Sequence, residues 1–349
     1  MHPSIYLDGD SQDDRSLYIS ENICHDTELI SIPDKCRIKA DGINNTCILL
    51  IKEFANPDSF YRPYLNLLPC VNNLQHLPLY KYTPETLPNL PTFKNTLIYY
   101  FNQAIELLNL LVKEELPETF KTFHWALYAM ALYHSRAWGR SGFNPLIDLI
   151  QHENNTNLTN SVNESEEWTK FFTRKMYGMN TKLSWCYSKS NKLSLYTNYG
   201  IDHTVDQDYF PIKFNFDSSK ASETLLNFIN DVLKRNKIYF YDKDVINLVF
   251  TPELDEKLFN TVRMLLLNDS EVELLKEKQI DLSFDKKLFI SARNELLTFK
   301  VLLKQLENYS KNFVYNGDDI IIKEICFDIN NFINNSKEIL KEKWLDLIL

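Results

Sequence analysis

The chain has 349 residues, of which 44% are hydrophobic and 24% are charged, and its formal net charge is −9. This length corresponds to about two domains, and the apolar content excludes a chain that is disordered throughout. No basic block occurs in either half, so nucleic acid is not expected as a partner. The 7 glycines form neither GxGxxG nor GxxxxGK[ST], which excludes a Rossmann fingerprint and a P-loop as sequence signals.

Cysteine usage and the chain start bear on the compartment. The 6 cysteines form no CxxC pair and no Cys/His pair at zinc spacing, so the sequence predicts free thiols, no metal and a reducing compartment. No apolar run reaches about 18 residues, so no membrane span is expected. The first residues lack the order of a signal peptide. We therefore expect a cytoplasmic protein, with the nucleus as the alternative. We also expect a monomer.

The first half is predicted to contain short strands followed by long helices. β-branched and apolar runs predict the strands, and the second of them ends at Pro33. Apolar residues spaced by three and four predict the helices, whereas the six prolines between 60 and 92 indicate irregular structure with short helical pieces. In chain order, we predict strands at 17–19 and 28–32 and helices over 44–56, 93–115 and 119–137.

The second half becomes increasingly helical. Residues 193–197 look extended and predict a strand that leads into Asn198-Tyr199-Gly200. Beyond Phe216, capping residues and apolar spacing predict helices alone. These predicted helices cover 219–235, 252–268, 284–313 and 334–347. We therefore predict a mixed domain at 1–213, with a helical insert at about 84–142, and an all-helical domain at 214–349.

Three segments contain the residue types of a possible reaction centre. They are YHSRAW at 133–138, NPLIDLIQH at 144–152 and LYTNYG at 195–200. Their order and spacing resemble the SET-domain protein methyltransferases, which carry patterns like SRAF, then PLxDxxNH, then a strand ending in YG. The most similar branch has a large helical insert and a C-terminal helical domain. It includes the Rubisco large-subunit lysine methyltransferase and the actin-histidine methyltransferase.

The N-terminal region supports the same resemblance. Residues 15–18 and 30–33 are similar to the opening GxGL…ELLxxIP strands, and residues 57–69 are similar to SxFxPYLxxLP. The resemblance covers residues ~3–213 and continues more weakly to Glu338-Ile339-Leu340, which is similar to a closing EKxIL. It implies an α+β fold: a SET domain of small β-sheets with a helical insert, followed by an all-α C-terminal domain.

The resemblance also implies a cofactor and roles for individual residues. SET-domain enzymes use S-adenosylmethionine, whose methyl group is transferred by in-line displacement without a metal. The catalytic tyrosine corresponds to Tyr199, whose hydroxyl would face the transferred methyl and also contact the cofactor. The protein substrate is expected to dock on the C-terminal domain. By position, the other cofactor residues are Ser16, Arg136, Asp148, Gln151 and His152, and the substrate contacts are Trp138 and Tyr196.

Each of these residue types is also consistent with a structural role when taken alone. Tyr199 would then be a core tyrosine at a strand end, and His152 a buried structural histidine. Asp148 would cap or pair nearby backbone, Arg136 would pair with a carboxylate, and Trp138 would pack in the core. The motif context favours the functional interpretation for Tyr199, His152 and Trp138, and it leaves both interpretations open for Asp148 and Arg136.

Three departures from the family pattern bear on activity. Asp14-Arg15-Ser16 occupies the place of the opening GxG, Gln151 replaces the usual asparagine, and residues 201–205 replace the SNAE-type run that follows YG. We expect a protein-lysine N-methyltransferase, since Trp138 is aromatic like the phenylalanine of SRAF, whereas the histidine-directed branch has a polar residue there. The alternatives are a catalytically inactive SET-like scaffold that binds a protein, and a protein-histidine N-methyltransferase.

Overall fold

In a computed structural model, the chain forms two compact units. The first comprises Met1–Lys189 with Ser194–Val205, and the second comprises Ser190–Leu193 with Asp206–Leu349. The structure describes residues 1–8, 16–138, 142–153, 158–161, 168–187, 191–201, 210–242, 244–278, 280, 282–284 and 286–348.

In the described part of the first unit, the strands form three small sheets. One is the antiparallel pair β1–β2, the second has the antiparallel order β3-β6-β5, and the third is the parallel pair β4–β7. Their apolar side chains share one core, in which Leu17, Ile30 and Phe171 are almost fully buried. The strands are β1 (Ile5–Asp8), β2 (Ser16–Ile19), β3 (Glu28–Pro33), β4 (Gln151–His152), β5 (Leu158–Ser161), β6 (Trp168–Thr173) and β7 (Ser184–Trp185).

Among the described residues between β3 and β4, the chain forms five α-helices. They are α1 (Ile43–Ala55), α2 (Arg62–Leu65), α3 (Pro78–Lys81), α4 (Pro91–Leu111) and α5 (Phe123–Arg136). Helices α1, α4 and α5 pack on one another, and Thr122 caps α5 by accepting a hydrogen bond from the Trp125 backbone. The helices predicted from apolar spacing are therefore present, and the proline-rich segment contains short helical pieces, as expected, among them α2 and α3.

A helix stands where the sequence indicated a strand. Residues Lys192–Tyr199 form α6, and the Gly200 N–H donates to the Tyr196 carbonyl at 2.8 Å, as in a helical turn. The prediction was wrong because Leu193 and Leu195 alternate with polar residues, which is typical of a strand. Tyr196 is buried as well as these two leucines, and burial of consecutive positions breaks the alternation of a strand with one buried face.

The second unit is mainly helical. Its helices begin at side-chain caps, including Ser222, Asp255, Ser291 and a capping box between Asn268 and Glu271. The last helix begins earlier than expected, since buried isoleucines continue its apolar face towards the N-terminus. The helices are α7 (Glu223–Arg235), α8 (Glu256–Leu265), α9 (Asp269–Glu277), α10 (Ala292–Ser310) and α11 (Ile320–Ile348).

The second unit also contains a sheet, so the expectation of helices alone omitted one of its elements. Strands β8 (Phe210–Asn215), β9 (Phe240–Asp242) and β10 (Val245–Phe250) pair antiparallel in the order β8-β10-β9. In β10, buried residues such as Ile246 and Leu248 alternate with exposed ones, which is the pattern of a strand with one buried face. Among the described residues, no helix is both long enough and apolar enough to span a membrane.

A charged cluster lies inside the second unit between α8 and α10. The Arg263 side chain is 2% exposed and donates to both carboxylate oxygens of Glu295, at 2.6 and 3.1 Å. It also donates to Asn260 at 2.6 Å and to Glu256 at 3.1 Å. A buried guanidinium is costly unless its N–H donors are satisfied. The four hydrogen bonds of Arg263 satisfy most of its five N–H donors.

Candidate functional site

Two adjoining cavities lie in the first unit. The first, of about 290 Å³, is lined by Arg136, Asp148, Gln151, His152 and Tyr199 among others, and we call it the polar cavity. The second, of about 310 Å³, is lined by Trp138 and Trp185 as well as Arg136, Asp148 and Tyr199, and we call it the aromatic cavity. Because the two share lining residues, six of the eight residues predicted for the site meet here.

The ends of helices and strands bring these side chains together. Arg136 is the last residue of α5 and Tyr199 the last of α6, whereas Gln151 and His152 form β4. Asp148 lies in a 3₁₀ turn preceded by Leu146, whose φ is +74°. A left-handed backbone is costly for a branched residue, and such strain is concentrated at functional sites.

Asp148 is the most buried charged group of the site, with 1% of its side chain exposed. Its Oδ2 accepts from the Tyr64 hydroxyl at 3.0 Å, and Arg136 donates to its backbone carbonyl at 3.1 Å. Burial raises the pKa of the Asp148 carboxyl, and the Arg136 guanidinium, 3.8 Å away, opposes the rise only in part. Within the described part of the chain, its Oδ1 is buried without a hydrogen-bond partner.

Helix α4 holds α6 in place and thereby positions Tyr199. The Tyr100 hydroxyl donates to Asn198 at 2.6 Å, and the ring of Phe93 stacks on Tyr196 with centroids 6.2 Å apart. Burial raises the pKa of the Tyr199 hydroxyl, so this hydroxyl stays protonated at neutral pH. The site therefore contains a neutral hydroxyl on a helix end fixed by packing.

Tyr187 is a site residue for which the sequence offered no motif. It lines both cavities, and its ring centroid lies 5.0 Å from that of Tyr199. Its backbone N–H donates to His152 Nδ1 at 3.1 Å, so a neutral His152 carries its proton on Nε2. Tyr187 thus fixes the tautomer of one predicted residue and contacts the ring of another.

Two predicted residues are not among those that line the cavities. Tyr196 is 2% exposed and packs on Phe93, and its contact with substrate stays a prediction. Ser16 is 1% exposed in β2 and lines neither cavity. Its neighbours Asp14 and Arg15, at the expected opening loop, lie outside the described residues.

Gly200 closes the turn after Tyr199 and tolerates no side chain. Its φ is +67°, and a Cβ would lie 2.6 Å from His76 Cδ2 and 2.8 Å from the His76 carbonyl oxygen. The Gly200→Ala variant combines left-handed strain with a backbone clash, so we expect a loss of about 2 kcal/mol in the free energy of unfolding. Urea denaturation of the purified protein measures this loss.

Alanine variants of two other glycines separate the cost of left-handed backbone strain from the cost of the clash with His76. Gly42 has φ +82° but open space around a Cβ, so Gly42→Ala should cost about 1 kcal/mol from strain alone. Gly178 has ordinary backbone, and its nearest neighbour is 3.7 Å from a Cβ, so Gly178→Ala should leave stability unchanged. An equal loss in the Gly200 and Gly42 variants would show that the contact with His76 is not tight.

No protein-family model matches the chain, and no curated protein matches it. Its structure does match solved ones. The chain aligns over 99% of its length with 88% of a structure described as the SET domain of LSMT bound to lysine and AdoHcy, at a TM-score of 0.55 and 15% identity. Rubisco LSMT bound to sinefungin and monomethyllysine gives the same values. For Rubisco LSMT bound to AdoMet, the TM-score is 0.56 with 89% of that chain covered. The predicted fold is thus confirmed: this chain has the SET-domain fold of Rubisco LSMT.

Proposed function

We propose that the protein is an S-adenosylmethionine-dependent methyltransferase that acts on a lysine of a protein substrate. The observation that carries this proposal is the meeting of Arg136, Asp148, Gln151, His152 and Tyr199 around the polar cavity, beside a cavity lined by tryptophan. Of the matched structures, one holds lysine and AdoHcy, one holds monomethyllysine and sinefungin, and one holds AdoMet. The fold and the cavities therefore support the same chemistry.

The polar cavity fits this cofactor by the chemistry of its lining. Asp148 provides a buried Oδ1 that lacks a partner among the described groups, which suits a hydroxyl or amine of the ligand. Arg136 provides a guanidinium that suits a carboxylate, and Gln151 and His152 provide further polar groups. When bound, S-adenosylmethionine supplies a methyl group on a positively charged sulfur. The residues of the chain hold the cofactor and exclude water.

The aromatic cavity favours lysine as the methylated residue. Trp138 and Trp185 lie with ring centroids 5.4 Å apart, and aromatic faces suit an aliphatic stem and a cationic ammonium. Lysine must lose a proton before it attacks a methyl group, and a site with little water lowers the pKa of its amine. Tyr199 lines both cavities, so its neutral hydroxyl would orient the amine at their junction.

The second unit would dock the protein substrate, as expected for residues 214–349. Deletion of that segment should abolish methylation of the protein substrate while leaving cofactor binding to the first unit in place.

The direct test of the function is incubation with isotope-labelled S-adenosylmethionine and a host lysate, followed by mass spectrometry. We expect the labelled methyl group on a lysine of one protein. A labelled methyl group on histidine would support the histidine-directed alternative. Cofactor binding without any labelled protein would support the inactive scaffold.

The buried carboxylate of Asp148 provides a specific test of cofactor binding. In Asp148→Asn, the Tyr64 hydroxyl, which donates to Oδ2, would hold the amide oxygen, and an NH₂ group would replace the acceptor Oδ1. Because a hydrogen bond to a charged acceptor is stronger than a neutral one, affinity for S-adenosylhomocysteine should fall about tenfold or more. Calorimetric titration measures this affinity.

Asp231→Asn is the matched control. Asp231 forms an exposed ion pair with Arg235 in the second unit, so this variant should bind S-adenosylhomocysteine like the unaltered chain. Equal affinity in the Asp148 variant would argue against the polar cavity as the cofactor site.

A further inference from the structure

Lys182 contacts a residue of the polar cavity without lining the cavity itself. Its ammonium donates to Gln151 Oε1 at 2.5 Å, and Lys182 is absent from the residues that form the wall. An ammonium has only donors, so it must bind the oxygen of the amide and not its NH₂ group. A charge-assisted hydrogen bond of this kind is stronger than a neutral one. Lys182 therefore holds the oxygen end of the Gln151 amide, and it does so without lining the cavity.

The backbone around Lys182 is fixed on both sides. Leu183 N–H donates to the Leu17 carbonyl at 2.8 Å, and Ile19 N–H donates to the Thr181 carbonyl at 2.9 Å. On the other side, Gln151 pairs with Ser184 in the parallel β4–β7 ladder. Neither Lys182 nor Gln151 therefore depends on a mobile loop for its position. The hydrogen bond between Lys182 and Gln151 therefore joins β4 to residues 181–183, whose backbone is bonded to β2.

We propose that Lys182 is a positioning residue for ligand recognition, because it orients the Gln151 amide so that the NH₂ group donates into the polar cavity. This inference rests on the proposed function, in which the polar cavity binds the S-adenosyl cofactor. Gln151 would donate to an acceptor atom of the cofactor, such as a ring nitrogen or a carboxylate oxygen. Without Lys182 the amide can rotate, and either end can then face the ligand.

The length of Gln151 is part of this arrangement. Asparagine is one methylene shorter, so an asparagine amide at this position would sit farther from the Lys182 ammonium. The two residues should then act as a coupled pair, and their effects on binding should not add. A double-mutant cycle tests this directly, with S-adenosylhomocysteine as the probe and calorimetry as the readout.

The cycle consists of Lys182→Met, Gln151→Asn and the double variant. We expect Lys182→Met to weaken binding about tenfold in the unaltered chain, the loss expected for one hydrogen bond to a charged group. In the Gln151→Asn background, the same change should have no further effect. Lys182→Arg keeps a donor and should restore most of the affinity. The thermal midpoint without ligand shows whether each variant is folded.

Lys170→Met is a matched control, because Lys170 pairs with Glu28 on β3 and lines neither cavity. It should bind like the unaltered chain. Unchanged affinity in a folded Lys182→Met variant would overturn the proposal. So would an equal loss in both backgrounds, since Lys182 would then act independently of Gln151. Failure of the unaltered chain to bind S-adenosylhomocysteine would instead overturn the proposed function, and this inference with it.

Discussion

Replacement of Tyr199 by phenylalanine is expected to slow methyl transfer about a hundredfold, the cost typical of removing one positioned hydroxyl or donor at a reacting centre. The loss should appear in the rate constant and not in the affinity for S-adenosylhomocysteine. Tyr199 lines both cavities, and its ring would remain against Tyr187. Single-turnover assays with labelled cofactor measure the rate, and calorimetry measures the affinity.

The matched control is Tyr196→Phe on the same helix. Tyr196 is buried against Phe93, and its hydroxyl accepts from Lys81 at 3.3 Å. Loss of this hydroxyl should cost some stability while the rate of methyl transfer stays close to normal. Equal rates in the Tyr199 variant and the unaltered chain would show that the Tyr199 hydroxyl takes no part in the reaction. A loss of cofactor affinity alone would assign it to binding.

Replacement of Arg263 by methionine is expected to lower the stability of the second unit by about 3–5 kcal/mol. The change removes the guanidinium and leaves Glu295, whose side chain is 5% exposed, without its bidentate partner. An unpaired buried carboxylate is costly because the interior solvates charge poorly. Hydrogen exchange in increasing urea, read by mass spectrometry on peptides from α8 and α10, measures this loss.

Two further variants make this prediction specific. The double variant Arg263→Met/Glu295→Met removes both charges, and apolar residues in place of a buried pair often restore stability, so it should recover most of the loss. Arg235→Met breaks only the exposed pair with Asp231 and should have no measurable effect. A single Arg263 variant as stable as the unaltered chain would show that water reaches this cluster.

Local sequence patterns predicted most elements of the fold. Helices α1, α4 and α5 follow from apolar spacing, and β3 follows from a β-rich run that ends at Pro33. Helix α6 did not follow, since eight residues are too few for periodicity to distinguish a helix from a strand when consecutive side chains are buried. The sheet of the second unit was missed because its short strands β8 and β9 gain their stability from pairing with β10, which local patterns do not show.

The site was predicted where a motif covered it. Arg136, Asp148, Gln151, His152 and Tyr199 came from three segments, and the fold brings them to one cavity. Their functional roles remain predictions. Trp185, Tyr187 and Lys182 lie outside the three segments, and the pairing of β7 with β4 brings their part of the chain beside Gln151 and His152. Such residues can be identified as part of the site once the tertiary structure shows which distant segments lie side by side.

A crystal structure of the protein grown with a saturating concentration of S-adenosylhomocysteine tests most directly whether the polar cavity binds the cofactor. We expect one molecule in the polar cavity, in hydrogen-bond contact with Asp148 and Gln151 and beside the ring of Tyr199. Density for the ligand at any other site, or a polar cavity that contains only solvent at that concentration, would contradict it.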